Sequence, residues 1–352
     1  MASSPLPAGD QASTQYSHLL KLRWLLMAVF VAVILLSLVA DFMLGPSGLS
    51  WSELMRTLFS PDQAEPTTSV IVWDVRLPYA VMAVVVGLGL GLAGAEMQTI
   101  LANPLASPFT LGISSAAAFG ASLALVLDLS LPWLPADWAV AGNAFVFAIL
   151  SALLLDVLAR WGGMSGSGMV LVGIALVFTF NALVSLMQFI ASAEDLQNLV
   201  FWTMGSLSRA TWPKVGGMLL AFAVILPLCL KDAWKLTALR LGEDRAISFG
   251  IDVKRQRLVS LLRISFLAAL AVSMVGTISF IGLIAPHIAR RLFGEDHRFY
   301  LPGSALIVAM ILSLASMASK NIVEGVIVPV GIVTSLVGVP FFVSVVMRRR
   351  AG

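Results

Sequence analysis

Glu96 stands two positions before Gln98 inside an apolar run, 77–101. A carboxylate there costs about 2.5–3.5 kcal/mol on insertion scales, so it turns toward a cavity or a partner. The chemistry open to it is ion or proton exchange across an apolar barrier. The plain alternative is a carboxylate near the end of the run that reaches back to polar surroundings. Asn181, Ser185 and Gln188 recur at i, i+4, i+7 and so share one helix face. Such a face either hydrogen-bonds neighbouring helices or lines a wet, weakly polar path, and its lack of charge argues against an ion relay. His287 and His297 have no acidic or cysteine partner at ligand spacing, which argues against a metal site. Cys229 is the only cysteine, which excludes an internal disulfide and a multi-cysteine metal centre. Gly87, Gly89, Gly91 and Gly94 crowd one run, but no Gly-Lys-Ser/Thr follows, so they are no phosphate loop. Gly87 and Gly91 form the Gly-xxx-Gly spacing that lets helix backbones approach closely. No Walker motif occurs anywhere, so the chain does not itself hydrolyse ATP, and nothing in it calls for a cofactor.

The elements that hold these residues are helices in a membrane. The chain has 352 residues, of which 59% are hydrophobic and 12% charged, against about 25% charged in soluble domains. Apolar runs long enough to span a bilayer fall at 24–44, 77–101, 111–127, 138–158, 169–190, 215–230, 258–276, 278–293, 301–319 and 326–347. The expected fold is therefore all-α and polytopic, with about ten transmembrane helices. The polar stretch 1–20 is expected to be disordered and cytoplasmic, with 21–350 a single transmembrane domain. Arginines and lysines test the orientation. Lys21, Arg23, Arg160, the basic loop 231–257, Arg290, Arg291, Arg298 and Arg348–Arg350 fall on one side, which is then cytoplasmic. Arg56, Arg76, Arg209, Lys214 and Lys320 fall on the other, and Arg263 lies within a span. Parity requires 258–299 to cross twice, as two short spans broken near Gly276 and Gly282, and leaves both termini cytoplasmic.

Two connections carry unusual composition. Asn103-Pro104-Leu105-Ala106-Ser107-Pro108 cannot continue a helix, yet the whole connection 99–112 carries no charge. Uncharged irregular backbone between spans points to a segment buried in protein or lining a cavity, that is, a pathway or gate. In the basic loop, Glu243 and Asp244 open a short helix and Gly250 closes it. Ala246, Ile247 and Phe249 then form an apolar patch among charges, suited to a membrane surface or a partner protein.

These residues resemble the FecCD permeases, the membrane subunits of ABC importers for iron siderophores, haem and vitamin B12. The matching strings, in order, are Arg76-Leu77-Pro78, Gly94-Ala95-x-x-Gln98, Asn103-Pro104-Leu105-Ala106-x-Pro108, Leu111-Gly112-x-Ser114, Met204-Gly205-Ser206-Leu207 and Leu241-Gly242-Glu243. Gly276-x-Ile278-x-Phe280-Ile281-Gly282-Leu283-Ile284-x-Pro286-His287, Asp296-His297-Arg298 and Pro329-x-Gly331 complete them.

The resemblance implies a homodimer or close heterodimer with a central path, two cytoplasmic ATP-binding subunits and a periplasmic substrate-binding protein. It implies ATPase coupling through Leu241, Gly242, Glu243, Ala246, Phe249 and Gly250, and a cytoplasmic gate at Asn103 and Leu105. Ser165, Gly166 and Ser167 match a second gate segment. Arg76 and Lys320 match basic sites that dock the binding protein. Glu96 stands where an apolar residue is more usual. The expected protein is a multi-pass permease of the bacterial inner membrane, in contact with lipid and not with nucleic acid. Its expected cargo is a ferric siderophore, with haem or vitamin B12 as alternatives. A secondary transporter is the rival class; it would need inverted repeats and mid-membrane carboxylates, of which Glu96 is the only candidate.

Overall fold

The computed structural model describes residues 9–45, 48–132, 134–135, 138–164 and 166–350. Among these the protein is helical throughout, apart from a single isolated bridge between Val323 and Val326. It opens with α1 (Gly9–Met43), then α2 (Trp51–Phe59) and α3 (Pro66–Val70), which runs through a π-helical turn, Ile71–Arg76, into α4 (Leu77–Ile100). There follow α5 (Ile113–Val126), α6 (Ala139–Trp161), α7 (Gly166–Ile190), α8 (Ala193–Thr203) and α9 (Trp212–Lys231). After the short α10 (Ala233–Leu239) and α11 (Glu243–Ser248) come α12 (Val253–Val275), α13 (Ile281–Phe293), α14 (His297–Ser319) and α15 (Val330–Arg350). Among the described residues, seven helices are long and apolar enough to cross a membrane, and the apolar helices at Ile113–Val126 and Val330–Ser344 are shorter. With α13, these are the segments expected from the hydropathy pattern.

α4 forms the centre of the bundle and is buried over nearly its whole length. Its glycines are what permit this. A Cβ on Gly87 would lie 2.5 Å from the Ala309 Cα of α14, and one on Gly91 would lie 2.5 Å from the Ser304 carbonyl oxygen. One on Gly94 would lie 2.0 Å from the carbonyl of Gly282 in α13. The Gly-xxx-Gly reading thus holds: α14 lies against a smooth strip of α4, where dispersion contacts replace the hydrophobic drive that lipid does not supply. Gly91→Val is expected to destabilise the bundle by about 1–3 kcal/mol, because the atoms in its way are backbone and cannot step aside. Thermal unfolding of the purified permease measures this.

Two expectations are corrected. The region 258–299 is not a pair of short spans. α12 is a full-length helix, and the break lies at Gly276–Phe280. Gly276 adopts φ +78 with its Cβ position 2.3 Å from the Trp202 carbonyl oxygen, so no other residue fits there. Gly282 is inside α13 and serves the crossing with α4 instead. α13 has 13 residues, about 20 Å of helix against a hydrocarbon core of about 30 Å, so the extended backbone before it supplies the remaining reach. Second, the N-terminal stretch expected to be disordered to residue 20 is helical from Gly9. Adding turns to an existing helix costs little, and Arg298 donates a hydrogen bond to the Tyr16 hydroxyl at 3.2 Å.

Candidate functional site

The connection after α4 is folded on itself. The Asn103 N–H donates to the Gln98 carbonyl at 3.2 Å, and the Asn103 side-chain oxygen accepts from the Leu105 N–H at 2.9 Å. Ser107 and Thr110 close a second small turn through reciprocal bonds of 3.0 and 3.2 Å. Ala106, Ser107, Pro108 and Leu111 are buried, whereas Leu105 and Phe109 project outward. Buried, uncharged irregular backbone is what the composition called for.

The second expected gate segment meets this loop directly. A Cβ on Gly166 would lie 2.7 Å from the Leu101 carbonyl oxygen, and one on Gly173 2.8 Å from the Leu111 Cα. The first turns of α7 therefore pack on both ends of the 101–112 loop. Ser167 is exposed beside Gly166, and Ser165 lies outside the described residues.

The basic loop folds as expected, with one difference. Gly242 (φ +110) and Gly250 (φ +80) flank α11. Amides of Gly250 and Ile251 bond back to the carbonyls of Ile247 and Ala246, ending the helix. Ala246 is not part of the apolar patch: it is fully buried against the core, because it lies on the opposite face of this short helix. The exposed patch is Leu241, Ile247 and Phe249, joined by Trp234 of α10, whose ring meets Phe249 edge-on at 5.6 Å.

One arginine connects this patch to the 101–112 loop. Arg257, in the second turn of α12, pairs through Nη2 with Glu243 at the start of α11. Its Nε donates to the Ile100 carbonyl at 3.0 Å, at the last residue of α4. α11 and the 101–112 loop are thus one side chain apart.

Glu96 does not reach back to polar surroundings. It is 1% exposed and held on three sides. Ser260 donates to it at 2.6 Å and Cys229 at 3.0 Å, while Arg263 lies 3.4 Å away. Arg263 also bonds Asp232 at 2.8 Å and the Leu228 carbonyl at 2.6 Å. Burial pushes the Asp232 carboxyl up, but hydrogen bonds from Lys235 and Arg263 outweigh it and hold the group below its ordinary range. Glu96, Arg263 and Asp232 therefore form a charged joint between α4, α12 and the end of α9. The signal for it was present in the sequence: Arg263 was the one cation inside a span, and a buried carboxylate was waiting for a partner.

His297 is fully buried with both ring nitrogens occupied, by the hydroxyls of Thr99 (2.8 Å) and Thr237 (3.0 Å). It ties the start of α14 to α4 and α10. Asn181 and Ser185 lie on an exposed face of α7 with Gln188 at its edge, among Phe178 and Phe189. This face is open in the single chain.

Arg76 and Lys320, which the resemblance matches to docking sites, are both buried on partners within the single chain. Arg76 is 5% exposed and donates to the carbonyls of Phe42 (3.3 Å), Met43 (3.1 Å) and Gly45 (3.4 Å) at the end of α1. A cation is favoured at that negative helix end. The Lys320 ammonium is buried on Asp41 (3.1 Å) and sits 4.4 Å from the Tyr79 ring centroid. Ser316 completes the shell of Asp41 at 2.9 Å. Both cations are internal ties, and Asp41, hidden in the first apolar run, is the partner that sequence reasoning missed.

The profile of the FecCD transport family matches residues 29–348. The chain is 38% identical over 283 residues to the hemin transport system permease protein of Yersinia pestis, covering 79% of this chain and 84% of that one. It is 37% identical over 278 residues to a vitamin B12 import system permease protein of Vibrio vulnificus, covering 79% and 82%. Among solved structures it is similar to "An inward-facing conformation of a putative metal-chelate type ABC transporter", with TM-score 0.80, 28% identity, and coverage of 92% of this chain and 99% of that one. These matches, with a ten-segment helical bundle that has a folded loop and an exposed apolar patch beside a short charged helix at its basic end, decide between the two transporter classes left open above. The chain belongs to the FecCD family and is the membrane permease subunit of an ABC importer of the iron-chelate, haem and vitamin B12 class.

Proposed function

We propose that this permease works as a pair of copies in a bacterial inner membrane and carries a ferric siderophore. Two ATP-binding subunits seat on α11, and a periplasmic binding protein delivers the cargo. The observation that carries the coupling part is the Arg257 bridge. Glu243 on the exposed helix and the Ile100 carbonyl at the gate loop share one guanidinium. Movement of α11 by the ATPases is passed through Arg257 to the end of α4. Contact of Gly166 with Leu101 passes it on to α7. Asn103 and Leu105, with the 165–167 segment, close the path at the cytoplasmic end.

The exposed face of α7 supports the dimer and the path together. Asn181 and Ser185 face outward on an otherwise apolar helix, where lipid would leave their polar groups unsatisfied. A second copy across a wet path satisfies them. An uncharged lining suits a bulky chelate, because a strong site there would retain it. The names of the relatives, hemin and vitamin B12 permeases among them, share a metal held in an organic chelator, which supports a chelate as cargo here.

The test is uptake in proteoliposomes holding the permease with its ATPases and binding protein. Labelled ferric hydroxamate or catecholate, hemin and cobalamin are offered in turn. ATP-dependent entry of a ferric siderophore alone is expected. Entry of hemin or cobalamin instead would transfer the assignment to that cargo.

A further inference from the structure

The basic residues at the end of the bundle opposite the basic loop have different fates. Arg76 and Lys320 are consumed inside the protein, but Arg209 and Lys214 converge on a cavity of about 280 Å³. The C-terminal ends of α5 and α12, the N-terminal ends of α6 and α9, and α8 enclose it. Arg209, Lys214, Asn198, Ser273, Phe201 and Trp202 supply its polar and aromatic walls. Among the described residues, no acidic side chain lines it. Lys214 Nζ lies 3.0 Å from the Arg209 carbonyl oxygen, which brings the two cationic residues together. Arg209 Nη1 is buried and, among the described residues, has no hydrogen-bond partner. A buried guanidinium nitrogen left unmatched is costly, so this geometry calls for an anion.

The surroundings indicate which anion. Trp138 lies 6.0 Å from Lys214 Nζ. Phe201 and Trp212 are exposed nearby, the latter anchored by its indole N–H on the Trp73 carbonyl at 2.8 Å. Tryptophans gathered at one end of a helical bundle mark the level of lipid headgroups. The cavity is smaller than the roughly 300–1,000 Å³ of ordinary small-molecule pockets, too small to enclose a metal chelate but of a size for one phosphate group. Its remaining walls, Leu125, Val140, Ala141 and Met274, are apolar, as the start of an acyl chain requires. An arginine fork beside a lysine suits phosphate oxygens.

We propose that this cavity binds the phosphate of an anionic phospholipid in the outer leaflet, held by Arg209 and Lys214. The site is independent of which chelate the permease carries.

The experiment is native mass spectrometry of the purified permease titrated with short-chain phosphatidylglycerol, short-chain phosphatidylcholine or inorganic phosphate. Wild type is expected to hold phosphatidylglycerol at least about tenfold more tightly than phosphatidylcholine, a difference of about 1.4 kcal/mol, with inorganic phosphate failing to displace it. Arg209→Gln with Lys214→Gln should abolish that preference while its lipid-free melting temperature matches wild type. An unchanged preference in the double variant overturns the proposal. So does equal retention of the two lipids by wild type. Displacement by inorganic phosphate at similar concentration would make this a soluble-anion site and remove the lipid. Should the double variant not fold, the wild-type comparison decides alone.

Discussion

Arg263→Met is expected to lower the stability of the permease by about 3–5 kcal/mol, the usual cost of stranding one member of a buried ion pair. Glu96 would keep only the hydroxyl of Ser260 and the thiol of Cys229 as donors, in a place where water cannot replace the guanidinium. The Leu228 carbonyl would lose its 2.6 Å donor as well. Glu96→Met combined with Arg263→Met should recover most of that loss, since replacing both members of such a pair by apolar groups is often neutral or better. Asp232 keeps Lys235 at 2.8 Å in the double variant and does not repeat the problem. Thermal unfolding of the single and double variants forms the cycle. A single substitution that costs under about 1 kcal/mol, as exposed pairs do, would show the joint to be wet.

Arg257→Gln is expected to reduce cargo moved per ATP hydrolysed by about tenfold or more, roughly 1.4 kcal/mol of lost coupling, with little change in folding. The substitution removes two contacts at once, one to the half-exposed Glu243, of a kind worth about 0–1 kcal/mol, and one to the Ile100 carbonyl. Arg257→Lys should be intermediate, because an ammonium lacks the fork that serves two partners in different directions. Glu243→Arg should resemble Arg257→Gln, since it places two cations where one pair stood. The ratio of uptake to hydrolysis in proteoliposomes reads this directly. A ratio equal to wild type in Arg257→Gln would take this side chain out of the transmission path.

Much of the architecture was legible before any coordinates, and the reason is the solvent. Lipid forces each crossing segment to be a long apolar run, so α1, α4, α6, α7, α9, α12 and α14 announce themselves by composition. The break between α12 and α13 was legible at Gly276, where the chain adopts a conformation other residues avoid. That Phe280 also takes a positive φ, +67, was not legible, since nothing in its type suggests it. At the candidate site, local features were readable: the Asn103 turn, the glycine-bounded α11, the shared face of Asn181 and Ser185. Long-range partners were not. Lys320 reaches Asp41 across most of the chain and Arg263 reaches Glu96 across nearly half of it, and a charge count cannot say which cations are spent inside. Nor could the sequence show that Arg76, which the family likeness matches to a docking site, bonds the carbonyls at the end of α1. Ala246 was misplaced for a simpler reason: on a helix of six residues, one position decides between core and surface.

The thiol of Cys229 has a practical consequence. It is the only cysteine in the chain, it is fully buried, and it rests on Glu96 within the charged joint. Maleimide reagents cannot reach it while α4, α9 and α12 stay together, so the native protein carries a silent label site with no background. The rate at which it becomes alkylated during ATP turnover would time the parting of those three helices without the introduction of a single foreign residue.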